Sequence, residues 1–385
     1  MKCRNSRPVN PKTIVACFEQ LPDPRIDRTR EHKLVDILVI GLCSALTGGE
    51  GFNDMELFGK TKFDWLKTFL ELPQGIPSHD TFNRVFSAID PQCFLECFVT
   101  WIRGMCPTLG EDVVAIDGKA LRRAFDDGAS IPYIVSAWAS DNGIVLGQVK
   151  VEDKSNEITA IPELLRVLEI TGCIVTIDAM GCQKEIAAHI ADKKADYVLA
   201  LKGNHATVHE EVQAFFKDAV PPCATQCAQT VRPATMGSFQ TIEKDHGRIE
   251  TRRYWQSTDI HWFEDRKLWK QLHSIGMVES IRRVKGKNTI ERRYYLCSLP
   301  LNAQLFAKAV RNHWGVENPL HWTLDVTFGE DQSRARTKYA AQNLATLRRI
   351  ALNLIKKNPR QKVSQRQKRI LAALDTSFLE QLLGI

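Results

Sequence analysis

The sequence predicts an α/β domain that carries a β-rich insertion and is preceded by a small all-helical domain. Three observations predict it. Residues 1–108 show only helical spacing, residues 112–201 alternate short β-branched runs with helix-length segments, and residues 203–303 lose that alternation. At 385 residues the chain is too long for a single core of ordinary size, so two domains, or one with a large insertion, are expected. Hydrophobic residues make up 44% and charged residues 25%, the balance of a soluble globular protein.

In the first region, stretches 11–21, 31–46, 53–70, 78–89 and 91–105 place apolar residues at three- and four-residue spacing. Proline and glycine signals such as Leu21-Pro22-Asp23-Pro24 and Gly48-Gly49 divide them. Ser78 is a competent N-cap for a helix that leaves His79, Asn83 and Arg84 on a polar side. That helix is either a groove-reading element or a plain amphipathic helix. The most apolar run, 34–46, is interrupted by Asp36 and is shorter than the ~20 residues a membrane helix needs, so no membrane partner is expected. Met1-Lys2-Cys3-Arg4 opens no secretory signal.

In the second region, Val113-Val114-Ala115-Ile116-Asp117-Gly118-Lys119 reads as a buried strand that puts a carboxylate where it breaks at a glycine. A strand from Tyr133 to Trp138, the turn Asp141-Asn142-Gly143 and a strand from Ile144 to Val149 form a hairpin. A helix over 158–170, capped by Ser155 or Asn156, precedes a strand ending at Asp178. A helix over 183–193 and a strand over 197–201 complete the order β-β-β-α-β-α-β, with right-handed parallel crossovers. Asp117 and Asp178 then meet at one edge of a parallel pair, where open α/β sheets place their sites. Taken singly, Asp117-Gly118 is also readable as a turn, and Asp178 as the cap of the next helix.

This order, with acids on the first and fourth strands, is the ground plan of the ribonuclease H-like fold. The segments Ile116-Asp117-Gly118-Lys119, Glu152 to Leu165, Asp178-Ala179-Met180-Gly181-Cys182-Gln183 and Leu201-Lys202-Gly203-Asn204 resemble the DDE transposases of bacterial insertion sequences. The likeness is nearest to the H-repeat-associated group linked to Rhs elements, and it runs through nearly the whole chain. It implies a ribonuclease H-like catalytic domain in parts: 109–202, a β-rich insertion at 203–303, and a completing segment at 304–355. The helical domain 1–108 is expected to bind DNA, and 356–385 to form a basic helical tail.

Within 304–322, Trp314-Gly315-Val316-Glu317-Asn318 matches the family segment that supplies the last acid, which makes Glu317 the expected third carboxylate. Asp325, Glu330 and Asp331 compete for that role. Glu317 stands among bulky apolar neighbours, an environment costly for an ionised carboxylate unless a cation meets it. The broader insertion-sequence pattern has Tyr and Arg before the Glu and Lys after it. Here those places hold Val310, His313 and Leu324, which leaves Arg311, His313 and His321 to handle phosphates.

Three converging carboxylates at ~4 Å repel by roughly 4 kcal/mol per pair at an effective dielectric of 20, so the implied site needs cations. All-oxygen donors favour two Mg²⁺ or Mn²⁺ ions, with Asp117 bridging both, Asp178 on one and Glu317 on the other. The implied reaction is cleavage at transposon ends followed by attack of the 3′-OH on target DNA. A nuclease of this fold without strand transfer, or a domesticated copy that only binds DNA, are the alternatives. A homodimer or higher assembly is expected from the need to pair two DNA ends, in a cytoplasmic, nucleoid-associated bacterial protein.

Charge supports a double-stranded DNA partner. The net charge is +7, and twelve Lys/Arg with no acid lie between Asp331 and Asp375, leaving 7 − 12 = −5 for the remainder. Arg334, Arg336, Arg348 and Arg349 belong to that stripe; Lys119, Lys154 and Lys202 lie just past strand ends and are expected to clamp phosphates. Arg248 and other arginines of the insertion read either as DNA contacts or as strand-edge charge. The eleven cysteines, without a Cys-x-x-Cys pair, indicate reduced thiols. Cys93/Cys97, Cys223/Cys227 and His205/His209 have half-site spacing for zinc, although the incidental reading outweighs it.

Overall fold

A computed structural model describes residues 13–124, 131–151, 157–220, 234–245, 248–284, 287–359 and 363–385. The first elements are α1 (Ile14–Phe18), α2 (Leu34–Thr47), α3 (Phe52–Thr61), α4 (Phe63–Leu66), α5 (His79–Ala88) and α6 (Pro91–Met105). Then come β1 (Val113–Ala120), β2 (Tyr133–Ala139), β3 (Ile144–Val151), α7 (Glu157–Val167), β4 (Ile174–Ile177), α8 (Lys184–Asp192) and β5 (Asp196–Leu201). They are followed by α9 (Ala206–Ala219), β6 (Met236–Asp245), β7 (Arg248–Ser257), β8 (Ser274–Val284), β9 (Lys287–Cys297) and α10 (Ala303–Trp314). The chain closes with α11 (Thr323–Val326), α12 (Ala340–Lys357), α13 (Gln365–Leu374) and α14 (Thr376–Leu383).

Two compact units share these elements. The helical unit comprises Met1–Leu109, Gly118–Glu169 and Val316–Ile385, and the sheet unit comprises Gly110–Asp117 and Ile170–Gly315.

In the helical unit, local chemistry sets the helix ends. Ser78 Oγ accepts from the Thr81 amide to start α5, and Asp90 accepts from Gln92 N at 2.8 Å to start α6, with Pro91 in the first turn. The single helix expected over 53–70 divides at Lys62 into α3 and α4. Past the break, Trp65 meets Phe69 edge-on at 4.9 Å and makes a long-range contact, donating to Glu380 Oε1 at 2.8 Å. Hairpin β2–β3 forms around Gly143, whose φ of +66° suits the turn, and a bulge at Ala137/Trp138 shifts its register. Helix α12 is buried on nearly all sides, yet it carries Asn343, Thr346, Arg349 and Asn353 inward. Asn343 donates to the carbonyls of Phe86 and Ile89, and Asn353 bonds both the N–H and the C=O of Val145. Among the described residues no single helix is long and apolar enough to cross a membrane.

In the sheet unit the strand order is β1-β4-β5-β9-β8-β7-β6. The first three strands are parallel, and the rest form an antiparallel meander joined to β5 through β9. Strands β1 and β4 are runs of buried β-branched residues, as expected where both faces are covered. Helix α10 lays Phe306, Ala309 and Val310 on the face that Val113, Ile174, Val198 and Tyr295 share. Gly276 admits it: a Cβ there would lie 2.3 Å from the Phe306 ring.

Candidate active site

The register of β1 against β4 pairs Ile116 with Ile177, so Asp117 and Asp178 follow at the same level on adjacent parallel strands. Neighbouring strands run ~4.8 Å apart, and side chains at one level share a face. Both carboxylates are half-buried. Asp178 Oδ1 accepts from the amides of Met180 at 3.1 Å and Gly181 at 3.4 Å, which fixes the carboxyl at the strand end. The loop beyond is pinned by Asn204 Nδ2 donating to Ala179 O at 2.6 Å and by the ring of His205 on Cys182 O. Lys202 is exposed just past β5, at the same carboxyl edge of the sheet.

Helix α10 supplies His313. Seven residues after Phe306, it reaches the face that carries Thr176 and Asp178, where its Nδ1 lies 3.1 Å from Thr176 Oγ1. Burial lowers its pKa, the Asp178 charge opposes that and Arg293 adds to it, so the ring is neutral at pH 7. Arg311, two residues earlier, is turned elsewhere: it pairs with Glu243 at 3.1 Å.

Strand β1 does not end at Asp117. It runs on to Ala120, so Asp117-Gly118 is not a turn. The glycine is needed for space, because a Cβ at Gly118 would lie 2.4 Å from Oε1 of the buried Glu157. Sequence reasoning missed Glu157, which it passed over as the start of a helix. One residue beyond Gly118, Lys119 is buried in the helical unit rather than open to phosphates. Its ammonium lies 2.6 Å from Asp325, 3.3 Å from Glu330 and 2.9 Å from Asp331. Burial opposes the charge on Lys119, and the acids outweigh it, so the pKa is raised. The three competitors for the third acid are therefore gathered around one lysine. One ammonium does not balance them all, and burial with the neighbouring acids pushes the Asp325 carboxyl up.

Glu317 opens a π-helical stretch, Glu317–Trp322, in the helical unit. Such local widening of a helix is frequent at functional sites. Against the expectation from its apolar neighbours, Glu317 is exposed: Val316 and Leu320 take the buried side. His321 in the same stretch is held neutral, its pKa lowered to about 4 by burial and by the charges of Arg349 and Lys119. Val310 and Leu324, the departures from the broader pattern, are buried apolar residues.

The basic stripe is not one surface. Arg334 and Arg336 are exposed, whereas Arg348 and Arg349 are buried; Arg349 Nη1 lies 2.7 Å from Glu330, and Arg348 donates to Glu50 O. In the insertion, Arg252, Arg253, Arg282, Arg292 and Arg293 pair with Glu243, Glu250, Glu279 and Glu291. Arg248 starts β7. Lys154, the Ser155/Asn156 cap and Cys223/Cys227 lie outside the described residues. Among the described residues no group of three or more His, Cys, Asp or Glu side chains stands ready to hold a metal ion, and Cys93 and Cys97 are free thiols.

In the sheet unit, Asp117 and Asp178 thus stand level on adjacent parallel strands with His313 on the same face; in the helical unit, Glu317 is exposed on a π-helical stretch. The chain belongs to the DDE transposase family: the family described as "Transposase DDE domain" matches residues 108–354, and the one described as "DDE_Tnp_1-associated" matches 15–102. Within it, YncI of Escherichia coli O157:H7, named a transposase, is 40% identical over 97% of this chain and 95% of its own. The H repeat-associated YhhI of Escherichia coli K12 is 39% identical over 97% and 98%. The cryo-EM structure of a piggyBac transposase synaptic complex with hairpin DNA matches at a TM-score of 0.44 and 12% identity, covering 97% of this chain and 79% of that one, a likeness too slight to argue from.

Proposed function

We propose that this chain cleaves DNA at transposon ends and joins the freed 3′-OH to target DNA, with Asp117, Asp178 and Glu317 as its metal-holding acids. The observation that carries the reading is the level placement of Asp117 and Asp178 on adjacent parallel strands. Like charges so close favour a bound cation, and their oxygens fit Mg²⁺ or Mn²⁺. Glu317 comes in by its family segment and by its place four residues after His313 in sequence. Hairpin β2–β3 and the parallel neighbours β4 and β5 support the ribonuclease H-like assignment.

Asp117, Asp178 and Glu317 would be the residues that hold the ions. When bound, the two ions would activate a water or 3′-OH and stabilise the leaving oxygen. The chain's own groups orient the DNA. Neutral His313, its Nδ1 held at Thr176, offers Nε2 to a phosphate oxygen, and Lys202 brings a charge to the same sheet edge. Exposed Arg334 and Arg336, with Arg248, extend the backbone contacts, and a homodimer or larger assembly would pair two ends.

Incubating the protein with labelled element ends, a target plasmid and Mg²⁺ tests this. Joined product is expected, and Asp117→Ala or Asp178→Ala should reduce it by at least ~10³-fold while DNA binding persists. Cleaved ends without joined product would mean a nuclease, binding without cleavage a domesticated copy, and undiminished cleavage by Asp117→Ala would remove the acid from the site.

A further inference from the structure

Two features that look unrelated in the sequence meet in the helical unit: the polar side of α5, and the segment that follows Asp331. Between them lies a cleft of about 450 Å³ lined by Phe52, Asn53, Asn83, Gln332, Arg334 and Arg336, among others. We infer that this cleft seats a single unpaired nucleotide of the DNA, which rests on the DNA-handling function proposed above.

Size comes first. About 450 Å³ is the volume of a small-ligand pocket and excludes a duplex, so DNA enters it only as a nucleotide taken out of its stack. The lining chemistry then favours a base. Asn53, Asn83 and Gln332 present amide groups, each able to donate and accept along a base edge. Asn83 is oriented for this, because its Oδ1 already accepts from Ser87 Oγ at 3.2 Å and its NH₂ points the other way. Half-buried Phe52 offers a ring against which a base can lie. Glu50 and Asp80 also line the cleft; they suit the exocyclic amines of a base and would repel a phosphate there.

The phosphate has its own place. Arg334 is exposed and makes no hydrogen bond or ion pair among the described residues. Arg336 Nε donates to Arg123 O at 3.2 Å, which ties the arginine segment to the chain just beyond β1. The opposite wall is equally fixed, since His79 at the start of α5 is held by Glu56 through its amide and its ring, both at 2.7 Å. The cleft is therefore built before DNA arrives, and it offers amides within and guanidinium groups at its lip.

The experiment compares two duplexes of about 20 base pairs, one blunt and one ending in a single unpaired 2-aminopurine, binding to the full chain without divalent metal. The overhang should bind roughly ten-fold more tightly, with the change in 2-aminopurine fluorescence that accompanies loss of stacking. In Asn83→Ala/Gln332→Ala that preference should vanish while blunt-duplex binding is retained, and Asn53→Ala, at an exposed position, repeats the test if the double variant fails to fold. Wild-type protein that binds both duplexes equally, or variants that keep the preference, would overturn this inference and leave the transposase function standing. Wild-type protein that binds neither duplex would overturn both.

Discussion

Replacing Glu330 by Gln should destabilise the helical unit by about 3–5 kcal/mol, because the change leaves Arg349 and Lys119 buried around a neutral amide. The structure gives the magnitude a second route. Burial alone would raise the Glu330 pKa, but the charges of Arg349, Lys119 and Arg348 overcome it and hold the carboxyl at about 2, against an ordinary 4.5. That difference is worth about 3 kcal/mol by linkage, in agreement with the mutational range. Its pH dependence has a definite sign. A depressed carboxylate contributes stability that is fully present above about 4.5 and is lost as pH falls toward 2. Urea unfolding of wild type and Glu330→Gln, followed by far-UV circular dichroism from pH 7 to pH 3, should therefore show a gap that narrows below about pH 4.5. The double variant Glu330→Met/Arg349→Met should be less damaged than Glu330→Gln, since it removes both charges of the closest pair. A gap under about 1 kcal/mol at pH 7, or one that does not change with pH, would refute the reasoning.

At Gly276, substitution by Ala would place a methyl 2.3 Å from the Phe306 ring, so α10 must lift; about 1–3 kcal/mol should be lost in the sheet unit, with faster amide exchange along β8 and α10 as the check. Asn343→Ala should cost about 2–3 kcal/mol, because two buried carbonyls at the end of α5 lose their donor; a shift in denaturation midpoint of under 0.5 kcal/mol equivalent would count against that role.

What could be read from the sequence, and what could not, follows from the range of the interactions. Strands β1 and β4, the Asn142-Gly143 turn and the cap at Ser78 depend on neighbouring residues, and each is found close to where local pattern places it. The level pairing of Asp117 and Asp178 followed from two apolar runs that end in the same way. The basic stripe misled, because charge composition does not say where partners come from. Glu330 reaches Arg349 from 19 residues away, and Arg369 donates to Ala45 O across 324. Lys119 is a similar case, with partners more than 200 residues distant. Gly118 does not break the strand as the sequence suggests: it makes room for Glu157, a contact that no local pattern announces.

Helix α12 has a consequence for how many structures this sequence can adopt. A helix that buries only leucines can turn or slip against its neighbours at small cost, and a chain of this size would then settle into several packings of similar energy. Asn343, Arg349 and Asn353 each find a partner at one rotation and one height: the end of α5, Glu330, and the backbone of Val145. A slip of a single turn would strand all three in a dry interior, at a penalty of several kcal/mol. Compared with apolar side chains of the same shape, these groups deepen the native energy well little, although deleting any one of them strands its partner. They make it the only one within reach, much as a key's teeth exclude the wrong locks.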